Sequence, residues 1–340
     1  MEIKNKFSYK WYLKDGYPQS LDNSVKKNDY KVFGTFINGG GSTMGYKLAG
    51  FNHLGGVEID EKTAECYKLN HNPKYLFIED IREFLKRDDY PDELYNLDIL
   101  DGSPPCTTFS IAGKREKSFG VKKVFAEGNK EQTLDDLLFV YAELINKLNP
   151  KTFIMENVAG LTTKNSQPYL KKFLDILQNY NKQIFLLNGA TMGLPQARER
   201  CFVIGYRKDF NLPKINLNFK EKPIAFSKIS DNEDKKENIT ETTKRYWEEA
   251  KEGQPVGKFN AIKKLRSNIP AYTIAATSLH FHPKYKRTMN LKETLLASSF
   301  PLDYKFIGHS FGFYCGMCVP PLMIANIALQ IKNQWLDKMK

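Results

Sequence analysis

The sequence predicts an α/β fold: a mostly parallel sheet covered by helices on both faces, with a second, smaller unit of different composition. Three observations carry this. Short apolar runs alternate with segments whose apolar residues recur at the 3.6 period of a helix. A glycine turn, Gly39-Gly40-Gly41, joins the first apolar run to the first helix. From Tyr206 to about Asn268 the chain turns rich in Lys, Asn and Glu and loses its apolar runs.

The elements follow in order. Residues 1–30 are polar and Lys-rich, with Phe7, Tyr9, Trp11 and Tyr12 as anchors, and form an N-terminal extension. Val32 to Ile37 reads as a strand and Ser42 to about Gly50 as a helix. His53 to Glu58 is a second strand, followed by a helix over Lys62 to Leu69. Leu97 to Leu100 is a buried strand that ends in Gly102 and in Pro104-Pro105, which stop it and stiffen the turn before Cys106. A polar stretch, 107–131, precedes a helix in which Leu134, Leu137, Leu138, Tyr141, Leu144, Ile145 and Leu148 share one face. Thr152 to Met155 is a strand, Leu170 to Leu177 a helix, and Ile184 to Leu187 and Cys201 to Ile204 two further strands. The charged run Asp231 to Glu237 is expected as a solvated loop. Regular structure returns near Ala271, and a last helix spans roughly Leu322 to Leu336. No internal repeat is visible.

Composition bounds the function. With 41% hydrophobic residues in 340, the chain has material for a sizeable core. Met1 to Lys10 holds no apolar h-region, and no unbroken run approaches the ~18 apolar residues of a membrane span. Five scattered cysteines are too few for a disulfide framework, which points to a reducing, cytoplasmic compartment. A formal net charge of +12 suits a polyanionic partner, a weak signal by itself.

The chemistry-bearing residues cluster at strand ends. Cys106 follows a strand at its carboxyl end, where open α/β sheets place ligands. By position alone it is either a small core residue or a nucleophile. Glu156 follows four apolar residues, and a carboxylate there is costly unless paired or kept protonated. It is a cap, a salt-bridge partner, or a general acid with a raised pKa. Arg198 and Arg200, two apart before a strand, leave one to reach the cleft and the other to anchor structure. The strand–glycine turn–helix at 32–50 has the form of a cofactor site, although it does not match the dinucleotide fingerprint well. Glu58, ending the second strand, is placed to accept hydrogen bonds from a ribose. A thiol, a carboxylic acid and an arginine in one pocket suit attack on a neutral, electron-poor ring. Cys315-x-x-Cys318 lacks a second pair and His280-x-His282 lacks companions, so no metal is expected and the histidines are placed on a surface or DNA-proximal loop. Trp247 in the variable region reads as a core anchor.

This set, in this order, resembles the C5-cytosine DNA methyltransferases over about residues 32–330. Phe36 with Gly39, Gly40 and Gly41, and Glu58-Ile59-Asp60, resemble the first two cofactor motifs of that family; Asp80-Ile81 resembles the third. Pro105-Cys106 resembles the catalytic motif, Glu156-Asn157-Val158 the acid motif, and Gln196 to Arg200 the Q-x-R-x-R motif. Pro270 to Ile274 and Arg287 to Glu293 look like the motif that organises target recognition, and Gly316 to Pro321 like the closing G-N-[AS]-V-P-P element. The chain departs from the pattern at Gly34, at Ile37-Asn38, at Ile59, where an aromatic is usual, and at Met317 and Cys318.

The resemblance implies a Rossmann-like S-adenosylmethionine-dependent methyltransferase of bacterial or phage modification type. It implies that Cys106 attacks C6 of a flipped-out cytosine, that protonated Glu156 donates to N3, and that Arg200 holds O2, with Arg198 structural. S-adenosylmethionine would lie against Phe36, Gly39, Gly40, Gly41, Glu58, Ile59, Asp80, Ile81 and Pro105. The stretch 107–131 would be the mobile catalytic loop, with Lys114, Arg115 and Lys117 on phosphates. The expected organisation is an extension over 1–30, a catalytic domain over 31–205, a target-recognition domain over 206–288, and a returning segment over 289–340. The partners are double-stranded DNA and a cognate restriction endonuclease, no membrane is involved, and the chain acts as a monomer. The alternatives are a transfer RNA cytosine-5 methyltransferase, against which Thr107-Thr108-Phe109-Ser110 and the variable region speak, and a catalytically silent DNA-binding relative.

Overall fold

The computed structural model describes residues 2–19, 26–105, 123–125, 128–132, 136–257 and 262–339. Its centre is a seven-stranded sheet built from β1 (Lys31–Thr35), β2 (Asn52–Glu58), β3 (Tyr75–Ile78), β4 (Ile99–Gly102), β5 (Thr152–Val158), β6 (Tyr180–Asn188) and β7 (Glu199–Arg207). The strand order is β6-β7-β5-β4-β1-β2-β3. β1 to β5 run parallel, and β7 enters antiparallel to both β5 and β6. The order reverses between β1 and β4, so the crevice that an open parallel sheet offers a ligand opens beyond their carboxyl ends. Both the glycine turn and the Pro-Pro segment leave the sheet at that point.

Helices cover both faces because the central strands are buried throughout and leave no face for water. On one face lie α1 (Gly41–Leu48) and α9 (Pro321–Gln334), packed through Met44, Tyr46, Leu322, Ile324 and Ile327. Gly45 permits their close approach, since a Cβ there would lie 2.5 Å from the Pro321 carbonyl oxygen. On the other face α3 (Ile81–Lys86), α4 (Leu137–Leu148) and α5 (Gln167–Ile176) bury Phe84, Tyr141, Leu144 and Phe173. α2 (Glu61–His71) starts at Asp60, whose side chain accepts from the Thr63 amide. By composition the run Phe311–Lys338 is apolar enough to cross a membrane, but 78% of its most apolar window is buried inside the protein. It serves as core.

Residues 206–268 depart from the expected irregularity. Helix α6 (Glu241–Glu249) lies there, capped by Thr240, with Trp247 as its one buried residue. A single buried position leaves no apolar period in the sequence. Trp247 packs with Ala250, Val256 and Phe281 in a small cluster apart from the sheet core. Asp231 and Asp234 do not simply solvate a loop: Asn290 donates to both, and their carbonyls accept from the Arg287 guanidinium. His280 and His282 are likewise buried, at 5% and 0% exposure, rather than lying on a surface loop. Arg287 forms a two-pronged pair with Glu293 at 2.8 and 2.9 Å, both side chains essentially sealed from water. That pair ties the Asp231–Asp234 segment to α7 (Leu291–Ser298).

The N-terminal extension is anchored. Trp11 is buried and its indole donates to the Ser299 carbonyl at 2.9 Å, and Phe7 lies in the core cluster, while Tyr12 is exposed.

Candidate active site

Glu156 and Arg200 meet at the edge of the crevice. In the β5–β7 register Phe202 faces Glu156, so Arg200, two residues earlier, projects on the same side of the sheet. Arg200 Nε lies 3.0 Å from Glu156 Oε1, with side-chain exposures of 14% and 11%. Burial raises the Glu156 pKa above the usual carboxylate range, and Arg200 and then Arg198 pull against that rise. The result is a carboxyl with enhanced proton affinity, held beside a cation and just open to the cleft.

Arg198 plays a different geometric part. It is 2% exposed, and its guanidinium donates to the carbonyls of Ile274, Gly316 and Cys318 at 3.1, 2.9 and 3.2 Å. One side chain thereby ties the strand entering β7 to the segment around Ile274 and to the end of α8 (Phe311–Met317). Its neighbours Gln196-Ala197 pair in parallel with Ala271-Tyr272, which brings the chain that follows residues 206–268 alongside the entry to β7.

The turn after β4 is fixed from two sides. Asn157 donates to the Pro104 carbonyl at 3.1 Å, and Ser103 Oγ to the Phe36 carbonyl at 3.3 Å. Pro105 is exposed. Cys106, Lys114, Arg115 and Lys117 lie outside the described residues.

The glycine turn follows β1 directly. Phe36 has φ of 55° and is half-buried. Gly40 caps α1 at φ 78°, supplies no side-chain oxygen, and is followed by no acid in the first helical turn. A helix start without an anion of its own suits the carboxylate of a ligand. Glu58 closes the turn from β2: its oxygens accept from the amides of Asn38, Ile59 and Asp60 at 2.9, 2.9 and 3.1 Å. Ile59 is half-buried. Asp80 caps α3 by accepting from the Arg82 amide and pairs with the Arg82 guanidinium at 3.1 Å, while Ile81 is buried. Cys318 Sγ donates to Asn38 Oδ1 at 3.2 Å, so the closing segment touches the turn; burial pushes its thiol pKa up to about 12. The turn, the end of β2 and the start of α3 thus stand side by side beyond the carboxyl ends of β1, β2 and β3. Among the described residues no cluster of metal-ligating side chains is present.

Sequence reasoning assigned no role to Asp101, which is 4% exposed and accepts from the Tyr46 hydroxyl at 2.9 Å. Its signal was an acid inside an apolar strand. The contacts of His71 and Tyr304 with the turn had no sequence signal at all.

A family model described as C-5 cytosine-specific DNA methylase matches residues 30–333. The type II methyltransferase M.Sau96I of Staphylococcus aureus is 29% identical over 323 residues, covering 85% of this chain and 72% of that protein. The type II methyltransferase M.FnuDI of Fusobacterium nucleatum is 28% identical over 351 residues, covering 91% and 96%. Among solved structures, a putative DNA modification methyltransferase encoded within an Escherichia coli prophage superposes with a TM-score of 0.71 at 18% identity, covering 90% of this chain and 99% of that one. A Spodoptera frugiperda DNMT2 mutant gives 0.62 at 16% identity, covering 92% and 99%. At these identities the structural likenesses concern the fold alone.

Proposed function

Because the chain belongs to the C-5 cytosine-specific DNA methylase family, and so is a DNA (cytosine-5)-methyltransferase, we propose that it modifies cytosine in a specific double-stranded sequence through a covalent Cys106 adduct. The observation that carries the proposal is the buried Glu156, its pKa raised by burial, at 3.0 Å from Arg200. It stands at the end of β5, beside the strand that leads into Pro105-Cys106.

The target base must leave the duplex, because C5 and C6 are unreachable inside the stack, at a cost of a few kcal/mol. Cys106 attacks C6 as the thiolate; a thiol of ordinary pKa is only a few per cent ionised near pH 7, so ring activation must accompany attack. Glu156 donates its proton toward N3, offsetting the charge that attack pushes into the ring. Arg200 holds O2, and Arg198 fixes the wall behind it. S-adenosylmethionine, when bound, supplies an electrophilic methyl group for C5. Phe36, Gly39, Gly40, Gly41, Glu58, Ile59, Asp80, Ile81 and Pro105 hold it. Loss of the C5 proton to solvent then breaks the C6–S bond, restores the ring, releases Cys106 as the thiolate, and lets N3 return its proton to Glu156. Lys114, Arg115 and Lys117 contact phosphates, and residues 206–288 read the sequence. The enzyme acts as a cytoplasmic monomer alongside a cognate restriction endonuclease.

Nucleoside mass spectrometry tests this, with S-adenosylmethionine and either genomic DNA or total transfer RNA, and Cys106→Ala as control. New 5-methylcytosine in DNA, absent with the variant but with DNA binding retained, is the expected result. Turnover by Cys106→Ala would overturn the covalent mechanism, and modification of RNA alone would move the substrate.

A further inference from the structure

We infer that Tyr304 and His71 are positioning residues for the cofactor, acting through the carbonyl of Gly39; the inference rests on the assignment of the glycine turn to S-adenosylmethionine. The Tyr304 hydroxyl donates to Gly39 O at 2.6 Å, and His71 Nε2 lies 3.4 Å from the same oxygen. A carbonyl only accepts, so His71 carries a proton on Nε2. Its burial holds the imidazole pKa well below the ordinary value.

The two groups come from opposite ends of the chain. Tyr304 lies in the segment between α7 and α8, and His71 ends α2. Each is fixed in turn. The His71 ring packs on Tyr67 at 4.7 Å, and its own carbonyl accepts from Lys47 Nζ at 2.9 Å. Lys47 also donates to Gly16 O at 2.8 Å, which brings the N-terminal extension into the same assembly. Tyr304 packs on Phe300 in the core and is buried.

The geometry leaves the turn no slack. A Cβ on Gly40 would lie 2.2 Å from His71 Nε2, and one on Gly39 would lie 3.1 Å from the Tyr304 oxygen. Gly40 also sits at φ 78°, where only glycine rests without strain. The peptide that opens α1 is therefore oriented by the two donors behind it. The amide on the far side of that peptide, Gly40 N–H, donates to the Ile37 carbonyl at 2.8 Å, so the two donors and this bond together lock the turn from which α1 starts. Both side chains act from behind, by holding in place the turn against which the cofactor would lie.

Binding of S-adenosylhomocysteine, an unreactive probe, to the purified protein tests this by isothermal titration calorimetry, with KM and kcat for S-adenosylmethionine alongside. Tyr304→Phe removes the shorter hydrogen bond with almost no change in shape. We expect its Kd and cofactor KM to rise roughly fivefold to tenfold, the worth of one buried hydrogen bond, with kcat at saturation and the KM for DNA unmoved. His71→Gln, which keeps a donor, should bind more tightly than His71→Phe. Glu58→Ala serves as the reference for the site itself. If Glu58→Ala weakens binding while Tyr304→Phe and His71→Phe stay within about twofold of wild type, this inference fails and the site stands. If Glu58→Ala also binds normally, the turn is not the cofactor site, and the inference falls with it.

Discussion

Arg200 Nε sits 3.0 Å from Glu156 Oε1, across neighbouring antiparallel strands and on one face of the sheet. The pair sets two opposing demands on one carboxyl: burial favours the proton, and the guanidinium favours its loss. In the proposed mechanism Glu156 donates its proton and works below its pKa, so the rate should fall as pH rises through that value. Arg200→Ala removes the nearest cation, so the Glu156 pKa should climb and the falling limb move to higher pH, while the maximal rate drops. Glu156→Gln should lower kcat by about 10² to 10⁴. A pH–rate profile at saturating substrates reads both effects, and an unmoved limb in Arg200→Ala would show that Arg200 does not govern this proton.

Arg198 and Arg200 should separate cleanly when each is replaced by alanine. Loss of Arg198 strands the three carbonyls of Ile274, Gly316 and Cys318 in the interior, at a cost of about 3 kcal/mol. Arg200 is partly open at the cleft, and its removal should cost under about 1 kcal/mol of stability while hurting catalysis far more. Arg198→Lys should not rescue, because an ammonium cannot reach three carbonyls set around a planar fork. Denaturant melts beside initial rates would settle the order, and equal melts for both alanine variants would refute it.

The Arg287–Glu293 pair bears on the small unit. Both side chains are buried, so removing one partner leaves a charge with no water and should cost about 3 to 5 kcal/mol. Because Arg287 also holds the backbone of Asp231 and Asp234, the damage in Arg287→Ala should concentrate in residues 230–290. Limited proteolysis should open that region before the sheet core, and DNA binding should weaken before cofactor binding does. Uniform cleavage along the chain would argue against a local root.

Much of this was legible in the sequence, for a physical reason. A buried strand is a continuous apolar run, so any polar group at its end stands out, and Glu156, Glu58 and the Pro-Pro segment after β4 were readable on that ground. Strand β3 (Tyr75–Ile78) went unread because four residues give too little pattern, and α6 because only Trp247 of its nine residues is buried. The two extra layers of the site rest on long-range meetings. Tyr304 lies 265 residues from Gly39, and Asp101 lies 55 from Tyr46. Neither distance leaves a periodicity or a local motif. The histidines at 280 and 282 misled for a related reason: a polar segment conceals burial when its partners, such as Trp247 and Glu293, come from elsewhere in the chain.

Asp101 offers the sharpest test of stability. It shares its sheet face with Glu156, and burial pushes its pKa up to about 7, against the pull of the Tyr46 and Ser42 hydroxyls. A carboxyl whose pKa is raised on folding binds its proton more tightly in the native state. Its contribution is therefore fully present below the unfolded value, near 3.8, and is lost as pH rises through the folded one. Asp101→Asn removes the ionisable group while keeping size and a hydrogen-bonding oxygen for Tyr46. The variant should match wild type near pH 4, gain steadily between about pH 4 and 7, and hold a level advantage on the order of 4 kcal/mol above that range. Chemical denaturation across pH 4 to 9 would measure the difference curve. A flat difference would mean that Asp101 ionises as readily in the folded protein as in water, and its bond to Tyr46 would then have to compensate fully for its burial.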